Sequence, residues 1–97
     1  MSNQTSRTAC FKAMASYLER EFPGRVKAAK DNEFMIAHKG IDHHVVLDPL
    51  FFKKCPDCAE ALRETDLADY LREAQSQARR FVVMWSGSDT RIRSTSL

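Results

Sequence analysis

Residues 33–48 read Glu33-Phe34-Met35-Ile36-Ala37-His38-Lys39-Gly40-Ile41-Asp42-His43-His44-Val45-Val46-Leu47-Asp48. Apolar and polar side chains alternate on both sides of a glycine, the pattern of two half-buried strands joined by a tight turn. The alternation predicts strands over 33–39 and 42–48, with a two-residue loop at Gly40-Ile41 in which glycine supplies a positive φ. In that register Phe34 faces Leu47, Ile36 faces Val45 and His38 faces His43. All six then share one face, because strand side chains alternate. The opposite face carries Met35, Ala37, His44 and Val46, is half polar, and is expected to stay partly wet.

The segments on either side extend the sheet and give it cover. Upstream, residues 25–30 alternate weakly and end at the turn signal Asp31-Asn32, which predicts a further strand. Phe11, Met14, Ala15, Leu18 and Phe22 recur at helical spacing, so residues 7–22 read as an amphipathic helix. Ser6 is its expected N-cap and Pro23-Gly24 its stop. Downstream, Asp48-Pro49 reads as a cap followed by proline at the first helical position. Leu50, Phe51 and Phe52 make a short apolar turn, and residues 59–64 read as helical. Thr65-Asp66 opens a longer predicted helix over 66–80, with Leu67, Leu71, Ala74, Ala78 and Phe81 on one face and Arg79-Arg80 at its C-terminus. Residues 81–85 are apolar throughout, the pattern of a strand covered on both sides. Ser86-Gly87-Ser88-Asp89 is a turn, and residues 90–96 return as an edge strand.

The expected fold is therefore α+β, in the order α-β-β-β-α-α-β(-β). A small antiparallel sheet of three to five strands packs on one face against the N-terminal helix and the 66–80 helix. Ninety-seven residues support a single domain, 1–97, with residues 1–5 and 91–97 as disordered or edge segments.

The net charge of +2 implies neither strong phosphate binding nor strong steering. Basic residues gather toward the two ends of the chain and acidic ones in its middle. Residues 1–30 carry six basic and two acidic side chains, and residues 31–60 carry three and six. A basic stripe of Arg25, Lys27, Lys30, Arg79, Arg80, Arg91 and Arg93 forms only if the fold brings the first strand beside the C-terminal segment. No run approaches the length of a membrane span. The N-terminus lacks the apolar stretch of a secretory signal, and three cysteines do not make a disulfide framework. These features predict a cytoplasmic protein with free thiols.

Only Cys55-Pro56-Asp57-Cys58 looks chemical. Two sulfurs at this spacing can share a metal ion, and a four-ligand zinc site would take Cys55, Cys58, His38 and His43. The same pair can do redox chemistry if a helix start favours one thiolate. A strand, then Cys55-Pro56-Asp57-Cys58, then a helix resembles the entry to the glutaredoxin-type thiol oxidoreductases, and Phe52-Lys53-Lys54 just upstream adds positive charge. That resemblance covers about twenty residues and implies thiol redox chemistry at Cys55 and Cys58. The prolines are Pro23, Pro49 and Pro56, so none follows the CxxC helix where that family has its cis-proline. The plainer reading makes both cysteines packing residues in a turn. The α-β-β-β-α order also resembles the double-stranded-RNA-binding domain in topology, which implies nucleic-acid binding, but the lysine cluster of its second helix is replaced by acidic residues.

Nucleophile elbow, HExxH, P-loop and GxGxxG motifs are all absent from the sequence. The expectation is a non-enzymatic binding protein with no cofactor, acting by protein–protein contact. It would be an adaptor or inhibitor of the kind that phages and mobile elements encode. Tyr17, Tyr70 and Trp85 are its candidate interface aromatics. A homodimer through the 81–85 strand, a nucleic-acid module, a zinc-stabilised domain and a CxxC oxidoreductase are the alternatives.

Overall fold

The chain reverses at Lys39-Gly40, one residue earlier than the alternation implies. The description covers residues 3–30, 32–74 and 77–96 of a computed structural model, and the side chains of 8–29, 32–74 and 77–96 within it. Lys39 has φ 53° and Gly40 φ 78°. That pair of positive angles is what a type I′ two-residue hairpin turn takes at its central residues. A lysine tolerates that conformation better than β-branched Ile41 would. The strands β2 (Glu33–His38) and β3 (Ile41–Leu47) therefore pair with Phe34 opposite Val45, Ile36 opposite His43 and His38 opposite Ile41. Every expected partner is displaced by two residues. A slip of two preserves the faces where a slip of one would invert them. Phe34, Ile36, His43, Val45 and Leu47 remain together on the inner face, and all are buried.

Asn32 prolongs this ladder. Its carbonyl accepts from the Leu47 N–H, and its side-chain amide donates to the Leu47 carbonyl, both at 2.8 Å. Strand β1 (Val26–Lys30) adds antiparallel to β2, with an irregularity between Ala28 and Lys30. The N-terminal helix α1 (Asn3–Glu21) starts earlier than expected, so Ser6 lies inside it and is not its cap. The edge or disorder expectation for the termini resolves into helix from Asn3 and strand through Ser96, while residues 1, 2 and 97 lie outside the described residues.

After β3 the chain crosses over through three short helices, α2 (Pro49–Lys54), α3 (Cys58–Arg63) and α4 (Leu67–Glu73). Asp48 caps α2 by accepting from the Leu50 N–H at 3.0 Å, and Asp57 caps α3 by accepting from the Glu60 N–H at 3.1 Å. The long helix expected over 66–80 ends at Glu73. Arg79, Arg80 and Phe81 belong instead to strand β4 (Arg79–Trp85), and β5 (Thr90–Ser96) pairs with it antiparallel. Helical spacing of Ala78 and Phe81 yields to ladder pairing: β4 runs parallel to β3, with Val45 beside Phe81 and Leu47 beside Val83. The sheet is thus mixed, in the order β1-β2-β3-β4-β5, and not purely antiparallel.

The four helices among the described residues lie over one face. Met14, Leu18 and Phe22 of α1, Phe51 of α2, Leu62 of α3, and Leu67 and Leu71 of α4 form one buried cluster with Phe34, Ile36, Val45, Leu47, Phe81 and Val83. Each such side chain contributes roughly 1.5–3 kcal/mol by leaving water. Residues 81–85 are consequently covered on one side only: Phe81 and Val83 are buried, whereas Val82 and Met84 are half-buried.

The helical layer carries a covalent tie that the sequence reading excluded. Cys10 of α1 and Cys58 of α3 form a disulfide across 48 positions, with Cα atoms 5.4 Å apart, and only Cys55 is a free thiol. The expectation of three free thiols is corrected accordingly. Two helices that pack together have placed cysteines far apart in sequence within bridging distance. Closing a loop of this length removes about 4 kcal/mol of unfolded-state chain entropy. Reduction with dithiothreitol, or Cys10→Ser, is expected to lower the melting temperature by roughly 10 °C or more. Identical melting curves with and without reductant would contradict this.

Candidate functional site

Among the described residues, no helix lies over the outer face of the sheet. Strand registers place Lys27, Met35, His44, Arg80 and Thr95 in one row across all five strands. A second row holds Glu33, Val46, Val82 and Arg93, and a third pairs Met84 with Arg91. Arg25 joins this face opposite Ala37, whose N–H donates to the Arg25 carbonyl at 3.0 Å. The middle of the face is half-buried and largely apolar, built from Met35, Val46, Val82 and Met84. Its flanks are the exposed cations Arg25, Lys27, Arg80, Arg91 and Arg93. Asp42 is exposed nearby, while Glu33 is 9% exposed and meets His44 Nδ1 at 2.5 Å. The second carboxylate is thereby occupied inside the face.

This arrangement redistributes the basic stripe read from the sequence. β1 and β5 are opposite edges, so the first strand and the C-terminal segment do not adjoin. Five of the seven cations nonetheless share the outer face, separated by the apolar middle. Arg79 points to the inner side, and its Nε donates to Ser94 Oγ at 2.7 Å. The Lys30 side chain lies outside the described residues. Sequence reasoning missed Val82 and Met84 because it took residues 81–85 for a strand enclosed on both sides. The available signal was the half-polar face of the preceding hairpin, which β4 extends.

The expected metal ligands are not assembled. Cys58 is bonded to Cys10, and among the described residues no three His, Cys, Asp or Glu side chains converge to hold an ion. His43 is fully buried on the inner face, its Nδ1 accepting from the Arg79 N–H at 3.2 Å and its ring edge-on to Phe81. His38 stacks edge-on against Phe22. Cys55 ends α2, half-buried, with its N–H donating to the Phe51 carbonyl at 3.0 Å. Burial pushes its thiol above the ordinary value, and the Asp57 carboxylate adds to the rise against a backbone hydrogen bond from Asp57. That environment suppresses thiolate, the reverse of what a nucleophilic CxxC needs.

Cys55 lines two cavities. One, of about 300 Å³, runs between Pro56-Asp57, Glu60, Glu64 and Trp85. The other, of about 250 Å³, includes Cys10, Cys58 and Phe52. Of the expected interface aromatics, Tyr17 is buried, and its hydroxyl accepts from the Ala68 N–H at 3.1 Å, so it is a core residue. Tyr70 is 43% exposed with its ring parallel to Phe81, and Trp85 is half-buried against the core.

Burial holds the His43 imidazole below its ordinary value, against a smaller opposing effect of the Ala74 carbonyl. Burial lowers His38 as well, helped by the Lys39 and Arg25 charges. The unfolded chain then binds more protons as the pH falls. Stability is full above an unfolded histidine pKa of about 6.5 and is lost as the pH drops toward the folded value. Melting temperature should fall between about pH 7.5 and 5.5, and His43→Gln should flatten the slope. An equal slope in the variant would remove His43 from the account. No family model matches the chain, and no match is found among curated proteins or solved structures.

Proposed function

We propose that this chain is a non-enzymatic binding protein, of the adaptor or inhibitor type, that engages a protein partner through the outer face of its sheet. The observation carrying this reading is the uncovered face itself, with Met35, Val46, Val82 and Met84 at its centre and five cations around them. A water-exposed apolar centre rimmed by charge is the anatomy of a protein interface. Methionines suit such a surface, because their unbranched, polarizable chains adapt to a partner's shape. The rim selects a partner patch rich in carboxylates, since complementary charge steers encounter and fixes register.

Nucleic acid is the second reading, favoured by the same five cations. Its weakness is that no Phe, Tyr or Trp is found among the described outward-facing strand residues, where single-stranded bases would need stacking surfaces, and the one ring there, His44, is held by Glu33. The raised thiol of Cys55 also supports a binding role over thiol catalysis.

Val82→Glu and Met35→Glu place negative charge in the apolar centre, where it would repel the carboxylates of the partner, without entering the core. In pull-downs from the native host, the wild-type chain should recover a stoichiometric protein partner. Either variant should lose at least about tenfold in affinity, as expected for a residue contributing 1.4 kcal/mol or more, while keeping its melting temperature. Undiminished binding by both variants would eliminate the outer face. Recovery of nucleic acid, with affinity falling steeply in salt, would replace a protein partner by the second reading.

A further inference from the structure

The three cysteines of the chain meet at one place. Cys10, Cys55 and Cys58 all line the cavity of about 250 Å³ between α1 and the α2–α3 connection, together with Phe52, Pro56 and Asp57. Cys10 and Cys58 are bonded, and Cys55 stands free three positions before Cys58. Free thiols beside a disulfide can attack it, forming one sulfur–sulfur bond as another breaks. Neither the outer sheet face nor its partner enters this argument.

We propose that Cys55 is an internal exchange partner for the Cys10–Cys58 disulfide, so that the chain carries two alternative covalent linkages. The Cys55 thiolate attacks Sγ of Cys58. The new Cys55–Cys58 bond forms as the Cys58–Cys10 bond breaks, and the electron pair leaves on Cys10 as thiolate, which takes up the proton that Cys55 lost. One disulfide and one thiol are present before and after, so neither an oxidant nor a reductant is consumed. The two states differ in reach. Cys10–Cys58 joins helices 48 positions apart, whereas Cys55–Cys58 closes a short turn and frees α1 from α3.

Several features support exchange. Cys55 is half-buried and therefore accessible, in contrast to Cys10 at 3% and Cys58 at 9% exposure. Its position at the end of α2, before Pro56, puts it in the connection leading to Cys58 and outside both helices. Partial burial keeps its thiol protonated near neutrality, so the Cys10–Cys58 form persists there and exchange accelerates in alkaline solution.

The test uses the full chain, oxidised and free of added thiols. Samples held at about pH 6 and pH 9 are quenched in acid, alkylated with a maleimide under acidic conditions, and mapped by mass spectrometry of proteolytic peptides. At the lower pH, the label should sit on Cys55. At the higher pH, a Cys55–Cys58 linked peptide and labelled Cys10 should appear together and in equal amounts. Their rate of appearance should be independent of protein concentration. Cys55→Ser, a near-isosteric change at a half-buried site, should keep the fold and abolish the rearrangement. The proposal is overturned if the label stays on Cys55 alone at pH 9. It is equally overturned if Cys10 pairs with Cys55, or if exchange proceeds only through disulfide-linked dimers.

Discussion

The parallel pairing of β3 with β4 is the contact on which the rest of the architecture depends. Two antiparallel neighbours could have been joined by a tight turn. A parallel pair requires the chain to return to the starting end of the sheet, and the segment that returns must lie over one face. Here that segment is α2, α3 and α4, and α1 packs beside it over the same strands. With every helix committed to one side, the other side is left to solvent or to a partner. The Asp48 N–H donating to the Val83 carbonyl at 2.9 Å closes the last rung of the pair just where α2 begins.

The two sides of the molecule differ in charge as well as in cover. Residues 48–74, which form the crossover, carry seven acidic and four basic side chains, whereas the outer face presents five cations with Asp42 as its exposed carboxylate. Two copies meeting outer face to outer face would therefore oppose like charges. The edges are guarded too, β1 by its irregular pairing and Lys27, β5 by Arg91 and Arg93, which discourages strand-to-strand association. These features disfavour a second copy of the chain at this face and at the sheet edges.

Much of the sheet was legible in the sequence, because a period of two is hard to mimic. Phe34, Ile36, Val45 and Leu47 were assigned to the correct face although their partners were displaced by two residues. The displacement came from turn chemistry: Lys39 accepts a positive φ that the alternation had given to Ile41. The error over 66–80 has a different origin. Ala78 and Phe81 sit at helical spacing by coincidence, and the decision for a strand is made by β3, more than thirty positions away. Cys10–Cys58 was illegible for the same reason, since spacing along the chain says nothing about which helices will touch. The outer face was half legible: the wet side of the hairpin was recognised, but not its continuation through Val82 and Met84.

Strand order in this sheet follows chain order, and that has a kinetic meaning. β1, β2 and β3 are joined by short connections, and β4 and β5 by the Ser86–Asp89 turn, where the Ser86 N–H donates to the Asp89 carbonyl at 3.0 Å. Each of these two groups can form from contacts close in sequence. Within the sheet, only the β3–β4 junction must wait for a long segment to close, and the entropy of that closure is lost before any junction contact compensates it. The sheet is in this sense two local assemblies and one long-range seam. Loop-closure entropy within the sheet is therefore concentrated at the seam, and the helices that span it are the tether between its two halves.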